Sequence, residues 1–123
     1  MSKSKKLRFH RRAAARRQFN HCYYCGASMW ECTPPSHFLQ FAKSARKVNR
    51  LRCTGEHLLP RSEGGRDTAA NIVAACVFCN GTRHRAKRPL EPNAYQRYVR
   101  SRMAKGRWHP EWVHRLAAAS ALV

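Results

Sequence analysis

The chain is 123 residues long and carries 25 Lys and Arg against 6 Asp and Glu, a formal net charge of +19 with a pI near 11.1. Such a charge suits a binder of polyanions, nucleic acid ahead of a membrane surface, because no apolar run is long enough to span a bilayer and no basic helix keeps a bulky apolar face. The length suits one domain whose modest core a metal could staple; with no apolar segment behind the charged N-terminus, the expected compartment is the reducing cytoplasm, without a membrane partner.

Residues 1–19 read as a basic tail leading into a short helix, favoured by Ala13, Ala14 and Ala15, that orders on nucleic acid. A merely solvated tail is the plainer alternative, and His10 reads there as one more polar residue. A core over residues 20–88 then opens on Cys22-Tyr-Tyr-Cys25-Gly26. Two thiolates at this spacing can share an ion where the chain turns tightly, and the glycine relieves the turn. Cys76 and Cys79 repeat the spacing, so the four sulfurs together predict a closed structural zinc site. Reduced buried cysteines are the bland alternative, and a redox dithiol lacks its βαβ context. Tyr23 and Tyr24 read as cover for this site and the core, and His21 as the lesser choice of ligand.

An insertion over about residues 30–50 carries a Pro-Pro loop and then a predicted helix from about Ser36 to Val48, with Ser36 as N-cap. Its apolar face is Phe38, Leu39, Phe41, Ala42 and Ala45; Lys43, Arg46, Lys47 and Arg50 are expected outward. His37 reads as structural or exposed, and neither Cys32 nor Cys53 is assigned to metal, Cys53 being expected on the buried side of a strand. Arg52 to Leu59 predicts the first strand of a hairpin, turned by Pro-Arg-Ser-Glu-Gly-Gly. The short apolar run after Asn71 leads to a basic helix from Asn80 towards Arg88, stopped by Pro89. Residues 89–123 read as a helical extension, one helix ending at Gly106 and one starting near Pro110. Tyr95, Tyr98, Val99 and Met103 form a stripe assigned to core; Trp108 and Trp112 pair one turn apart. His109 and His114 read as structural. Periodicity alone supports no more than a mixed α+β fold.

Within the core, the stretch from Arg52 to His84 sets an acid beside a histidine (Glu56, His57), then the Gly-Gly turn, Asn71 ahead of an apolar run, and a Cys-x-x-Cys leading straight into Asn80. In that order and spacing it resembles the HNH endonuclease motif in its acid-His…Asn…Asn form. The resemblance implies an α+β fold: a small ββα-metal core stapled by a four-cysteine zinc site, with added helices at the N-terminus, in the insertion and at the C-terminus. Residue by residue, it puts His57 on the general base and Glu56 on the metal-binding acid before it. Asn71 falls on the asparagine that braces the loop carrying the base, and Asn80 on the last metal-ligating position. Glu56 departs from the commoner Asp by one methylene. His84, four residues beyond Asn80 on the same helical face, matches a further metal-ligating histidine of colicin-type members; the plainer reading is a phosphate contact.

Hydrolysing a phosphodiester needs a deprotonated water, neutralised phosphoryl charge and a stabilised leaving alkoxide. A histidine and one hard cation cover these needs. The oxygens of Glu56 and Asn80 suit Mg2+ or Mn2+ as the catalytic ion, separate from the structural Zn2+; His84 as a ligand moves the preference towards Ni2+, Zn2+ or Mn2+. Arg61, Arg83, Arg85, Lys87 and Arg88 are expected on the nucleic-acid backbone, without a helix aimed at base edges, hence weak sequence preference. The expected function is a metal-dependent endonuclease that nicks or cuts double-stranded or branched DNA. The alternative is a catalytically silent, zinc-stapled nucleic-acid-binding module, and RNA cleavage is a third, minor reading. Monomer and homodimer are both compatible with the sequence.

Overall fold

The computed structural model describes residues 2–121; Met1, Leu122 and Val123, the outermost residues of the expected tail and C-terminal extension, lie outside the described residues. The fold is α+β, with six helices and one two-stranded antiparallel sheet among the described residues. Strands β1 (Cys53–His57) and β2 (Ile72–Cys76) pair so that Cys53 faces Cys76, Glu56 faces Val73 and His57 faces Ile72. No helix is long and apolar enough to cross a membrane.

The N-terminal segment carries the expected helix, but it is long and almost no tail precedes it among the described residues. Helix α1 (Lys3–Arg17) starts at once, capped by the Ser2 hydroxyl, which accepts from the Lys5 N–H, and Arg16 and Arg17 at its end complement the helix dipole. It docks on the sheet: Ala14 and Ala15 are fully buried, and the Gln18 carboxamide both donates to the Ala74 carbonyl and accepts from the Ala74 N–H. Gly55 makes the fit close, since a Cβ there would come within 2.9 Å of Leu7 Cδ1.

Alternation along β1 then sorts the two faces of the sheet. Gly55 faces α1, while the neighbouring Thr54 hydroxyl accepts from the Asn80 carboxamide on helix α4 (Val77–Arg85). Glu56 therefore shares the α4 face and His57 the α1 side. The basic helix begins three residues before its expected start at Asn80 and ends before Lys87 and Arg88. The cause is an unusual cap: the Cys76 sulfur accepts the Cys79 N–H at 3.4 Å, so β2 runs directly into the helix.

The insertion also differs from expectation. Its single helix is broken into α2 (Ser36–Ala42) and α3 (Ala45–Val48) because Lys43 takes a left-handed conformation, φ 62°. Ser44, not Ser36, provides the side-chain cap, accepting from the Lys47 N–H; the residue before α2 is Pro35. A 3-10 turn over Asn49–Leu51 leads into β1. Helices α5 (Pro92–Ala104) and α6 (Glu111–Ala121) close the structure, with Tyr95, Val99, Trp112, Val113 and Leu116 in the core. Tyr98 stays exposed, and Trp108 precedes α6 instead of pairing with Trp112 on it.

Candidate active site and metal centre

The Cys22–Cys25 turn is held by the Cys22 N–H on the Ala27 carbonyl and the Gly26 N–H on the Cys22 carbonyl, with Gly26 at φ 78°. That turn faces the start of α4, so Cys22, Cys25, Cys76 and Cys79, all buried, bring their Sγ atoms within 4.8 Å of one another. Backbone N–H groups of Cys25, Ala27, Cys76 and Cys79 all point at these sulfurs at 3.3–3.5 Å. Two side chains add to them: Trp108 Nε1 donates to Cys79 Sγ at 3.2 Å, and His109 Nε2 lies 3.3 Å from Cys25 Sγ. Donors aimed at sulfur stabilise thiolate charge.

Burial works against the Cys22 thiolate, yet hydrogen bonds with the other three cysteines outweigh it and hold its pKa well below the ordinary thiol value. Burial drives Cys79 in the opposite direction. Four sulfurs this close cannot all carry charge unless a cation shares them, and a closed, all-sulfur set is the donor chemistry of structural zinc. Arg50, expected outward, is instead half-buried: its Nε donates to His109 Nδ1 at 2.8 Å and its guanidinium lies 3.5 Å over the Phe78 ring. Burial, with Arg50 next in effect, pushes His109 down to about 4. The neutral ring therefore accepts from Arg50 at Nδ1 and donates to Cys25 from Nε2. The C-terminal segment is thus tied to the four-cysteine cluster through Trp108 and His109.

One strand-length away, Glu56 is only 2% exposed although it is an acid. Burial is tolerable because its lone pairs are taken: Oε2 accepts from Tyr24 Oη at 3.0 Å and from Arg83 Nη1 at 3.1 Å, and Oε1 lies 2.9 Å from His84 Nε2. Arg83, expected among the cations that touch nucleic acid, is 5% exposed and turned inward, its Nε donating to the Leu90 carbonyl. Asn80, one turn before His84, donates from Nδ2 to Thr54 Oγ1 and to the Gly55 carbonyl. Its Oδ1 has no protein hydrogen bond among the described residues. Asn80 and His84, one turn apart on α4, thus both face β1, where His84 meets Glu56.

His57, with 16% of its side chain exposed, places Nε2 2.7 Å from Asp67 Oδ1. Arg61 grips the same carboxylate, Nη2 to Oδ2 at 2.7 Å and Nε to Oδ1 at 3.3 Å. Hydrogen bonds from His57, then Arg61, hold the Asp67 carboxyl below the usual carboxylate range. Asn71 closes the loop between the strands: Oδ1 accepts the Leu59 N–H, and Nδ2 donates to the carbonyls of Leu59 and Arg66. Gly65 allows this curl, because a Cβ there would run into the Leu59 carbonyl. Arg85, Lys87 and Arg88 are exposed near the end of α4.

Two side chains at this site escaped the sequence reading. Asp67 was visible only as one of six acids in a very basic chain, and Tyr24 only as cover for the cysteine site and the core, not as a donor to Glu56. No curated protein matches the chain. A family model described as HNH endonuclease matches residues 43–86, from Lys43 at the bend after α2 to Ala86 just past α4; α1, the Cys22–Cys25 turn, α5 and α6 lie outside it. That segment, built of β1, the Asn71-braced loop, β2 and α4, matches the HNH endonuclease domain family, a family of nuclease-type hydrolases.

Proposed function

We propose that the protein is a metal-dependent endonuclease that hydrolyses DNA phosphodiester bonds with little sequence preference, leaving 3′-hydroxyl and 5′-phosphate ends. One observation carries this reading: Glu56 Oε1 and His84 Nε2 lie 2.9 Å apart, with Asn80 one turn away and His57 next in the chain. Two ligand atoms each about 2.1 Å from an ion and at right angles would stand about 3 Å apart, so the pair fits a small octahedral cation. Mg2+ and Mn2+ match the oxygens of Glu56 and Asn80, and the imidazole of His84 adds affinity for Mn2+ or Ni2+. Bound there, such an ion supplies Lewis-acid stabilisation of phosphoryl charge and of the leaving oxygen.

The protein's own groups do the rest. His57 takes the proton of the attacking water, and Asn71 holds the loop on which its orientation depends. Arg61, Arg85, Lys87 and Arg88 offer charge to the flanking phosphates. Along α1, Lys5, Arg8, Arg12 and Arg16 form an exposed row without acidic partners among the described residues, extending that surface. These are charge contacts, which give affinity without reading sequence.

The ion pair of Arg83 with Glu56 favours the competing reading, a silent binding module, because a buried guanidinium already neutralises the acid. It engages Oε2, however, leaving Oε1 to His84. Conversion of supercoiled plasmid decides between them. Zinc-loaded protein is incubated without divalent ion and with Mg2+, Mn2+ or Ni2+, beside His57→Ala. Ion-dependent nicked or linear product that the variant fails to make supports the nuclease. Plasmid that is bound and shifted but intact in every lane supports the module.

A further inference from the structure

We propose that Asp67 is a positioning residue that fixes His57 in the Nε2–H tautomer, so that Nδ1 is the atom which takes the proton. The inference deepens the nuclease reading and rests on it for its kinetic consequence. The geometry allows little else. Asp67 Oδ1 is 2.7 Å from His57 Nε2, and both carboxylate oxygens also accept from Arg61. A carboxylate held ionised in this way can only accept, so the hydrogen between it and the ring belongs to Nε2. The neutral ring is then left with its lone pair on Nδ1, which has no protein hydrogen bond among the described residues.

Proton flow follows from that arrangement. Water gives its proton to Nδ1, the ring becomes an imidazolium with both nitrogens protonated, and Asp67 stabilises the new positive charge without itself being protonated. Arg61 keeps the carboxylate in place and ionised, so one of the cations expected on the DNA backbone is committed at least partly to the base. The same contacts say how Asn71 acts. Its Nδ2 holds the Arg66 carbonyl, immediately before Asp67, so the asparagine braces His57 through the acid as well as through Leu59. Asp67 touches neither substrate nor ion in this scheme, and its side chain is only 8% exposed.

The tautomer can be read directly by long-range 15N–1H NMR of the His57 ring, in zinc-loaded protein without a divalent ion, at a pH where the ring is neutral. The Nε2–H pattern is expected for the wild type; an Nδ1–H pattern overturns the proposal, and no variant is needed for that result. In Asp67→Asn the carboxamide can donate to Nε2, which favours the Nδ1–H tautomer. That variant should lose roughly 10³–10⁴-fold in kcat, the scale on which a tautomer-fixing carboxylate acts in hydrolases, with KM for DNA little changed. Asp67→Glu should recover part of the rate. Asp67→Asn retaining wild-type kcat overturns the proposal as well. An Nε2–H ring in a wild type that cleaves no DNA would sink the nuclease reading while leaving the tautomer assignment standing.

Discussion

Tyr24 Oη donates to Glu56 Oε2 at 3.0 Å, and Tyr24 sits between Cys22 and Cys25. The phenol therefore links the Cys22–Cys25 turn to the buried acid. Burial, followed by the charge of Glu56, pushes the Tyr24 pKa far up, so the hydroxyl stays a donor at any working pH. Helix α5 fixes the tyrosine from behind, Arg100 Nε donating to its carbonyl at 2.6 Å. Tyr24→Phe should leave the ring packing intact and remove one charge-assisted bond, worth about 1.5–3 kcal/mol. The divalent concentration for half-maximal cleavage should rise roughly tenfold or more, at unchanged zinc content. An unchanged metal titration would mean that Arg83 alone orients Glu56.

The metal centre makes a second prediction. Trp108 and His109 bring side-chain N–H groups to Cys79 and Cys25, and loss of such outer partners typically costs about 10–100-fold in metal affinity. Trp108→Phe and His109→Ala should each speed zinc transfer to a chromogenic chelator, the second more, because Arg50 Nε also loses its acceptor while Nη2 keeps only the Trp108 carbonyl. Zinc removal should in turn abolish cleavage even in excess Mg2+, since the Cys22–Cys25 turn carries Tyr24. Chelator kinetics equal to wild type in both variants would reduce these two residues to packing.

These contacts mark the limit of what the sequence makes legible. The α+β fold and the four-cysteine cluster were readable because each depends on short spacing: Cys-x-x-Cys twice, and a strand, a glycine turn and a strand leading into a helix. Side-chain direction was not readable. Arg50 and Arg83 count as surface charge in any composition, yet each turns inward to an acceptor supplied by a distant element, His109 and Glu56. The docking of α1 was hidden likewise, since the small residues that allow it, Ala14, Ala15 and Gly55, are unremarkable until the sheet meets the helix. Asp67 lies ten residues from His57, and only the curled loop brings them together.

Thiol chemistry separates the cysteines. Cys53 is buried on β1, and burial, reinforced by nearby Glu31, pushes its thiol up to about 12. Cys32 is exposed in the loop before α2. Because the thiolate is the reactive form, alkylation of folded, zinc-loaded protein near neutral pH should stop at one adduct, on Cys32. Chelation followed by denaturation should release all six. Peptide mass spectrometry reads both stages; early labelling of Cys53 would show that β1 opens readily.

The last prediction concerns α1, which lies outside the matched segment yet presents Lys5, Arg8, Arg12 and Arg16 in one exposed row. Among the described residues the helix makes a single acid pairing, Arg11 with Glu31, so the row's mutual repulsion is unrelieved within the protein. A polyanion would relieve it. Each phosphate neutralised on duplex DNA contributes about 0.9 to the slope of log K against log salt. Replacing the four cations by Gln should therefore lower that slope by up to about 3.6, whatever the DNA sequence. Binding is best measured on His57→Ala protein without divalent ion, so that cleavage does not intrude. The four side chains are exposed, so the thermal midpoint should hold or rise slightly. In the cleaving protein KM should increase while kcat at saturating DNA stays the same. A slope equal to the parent's would place the DNA elsewhere, and a fall in kcat with KM unchanged would mean that the helix helps to position His57, which lies on its side of the sheet.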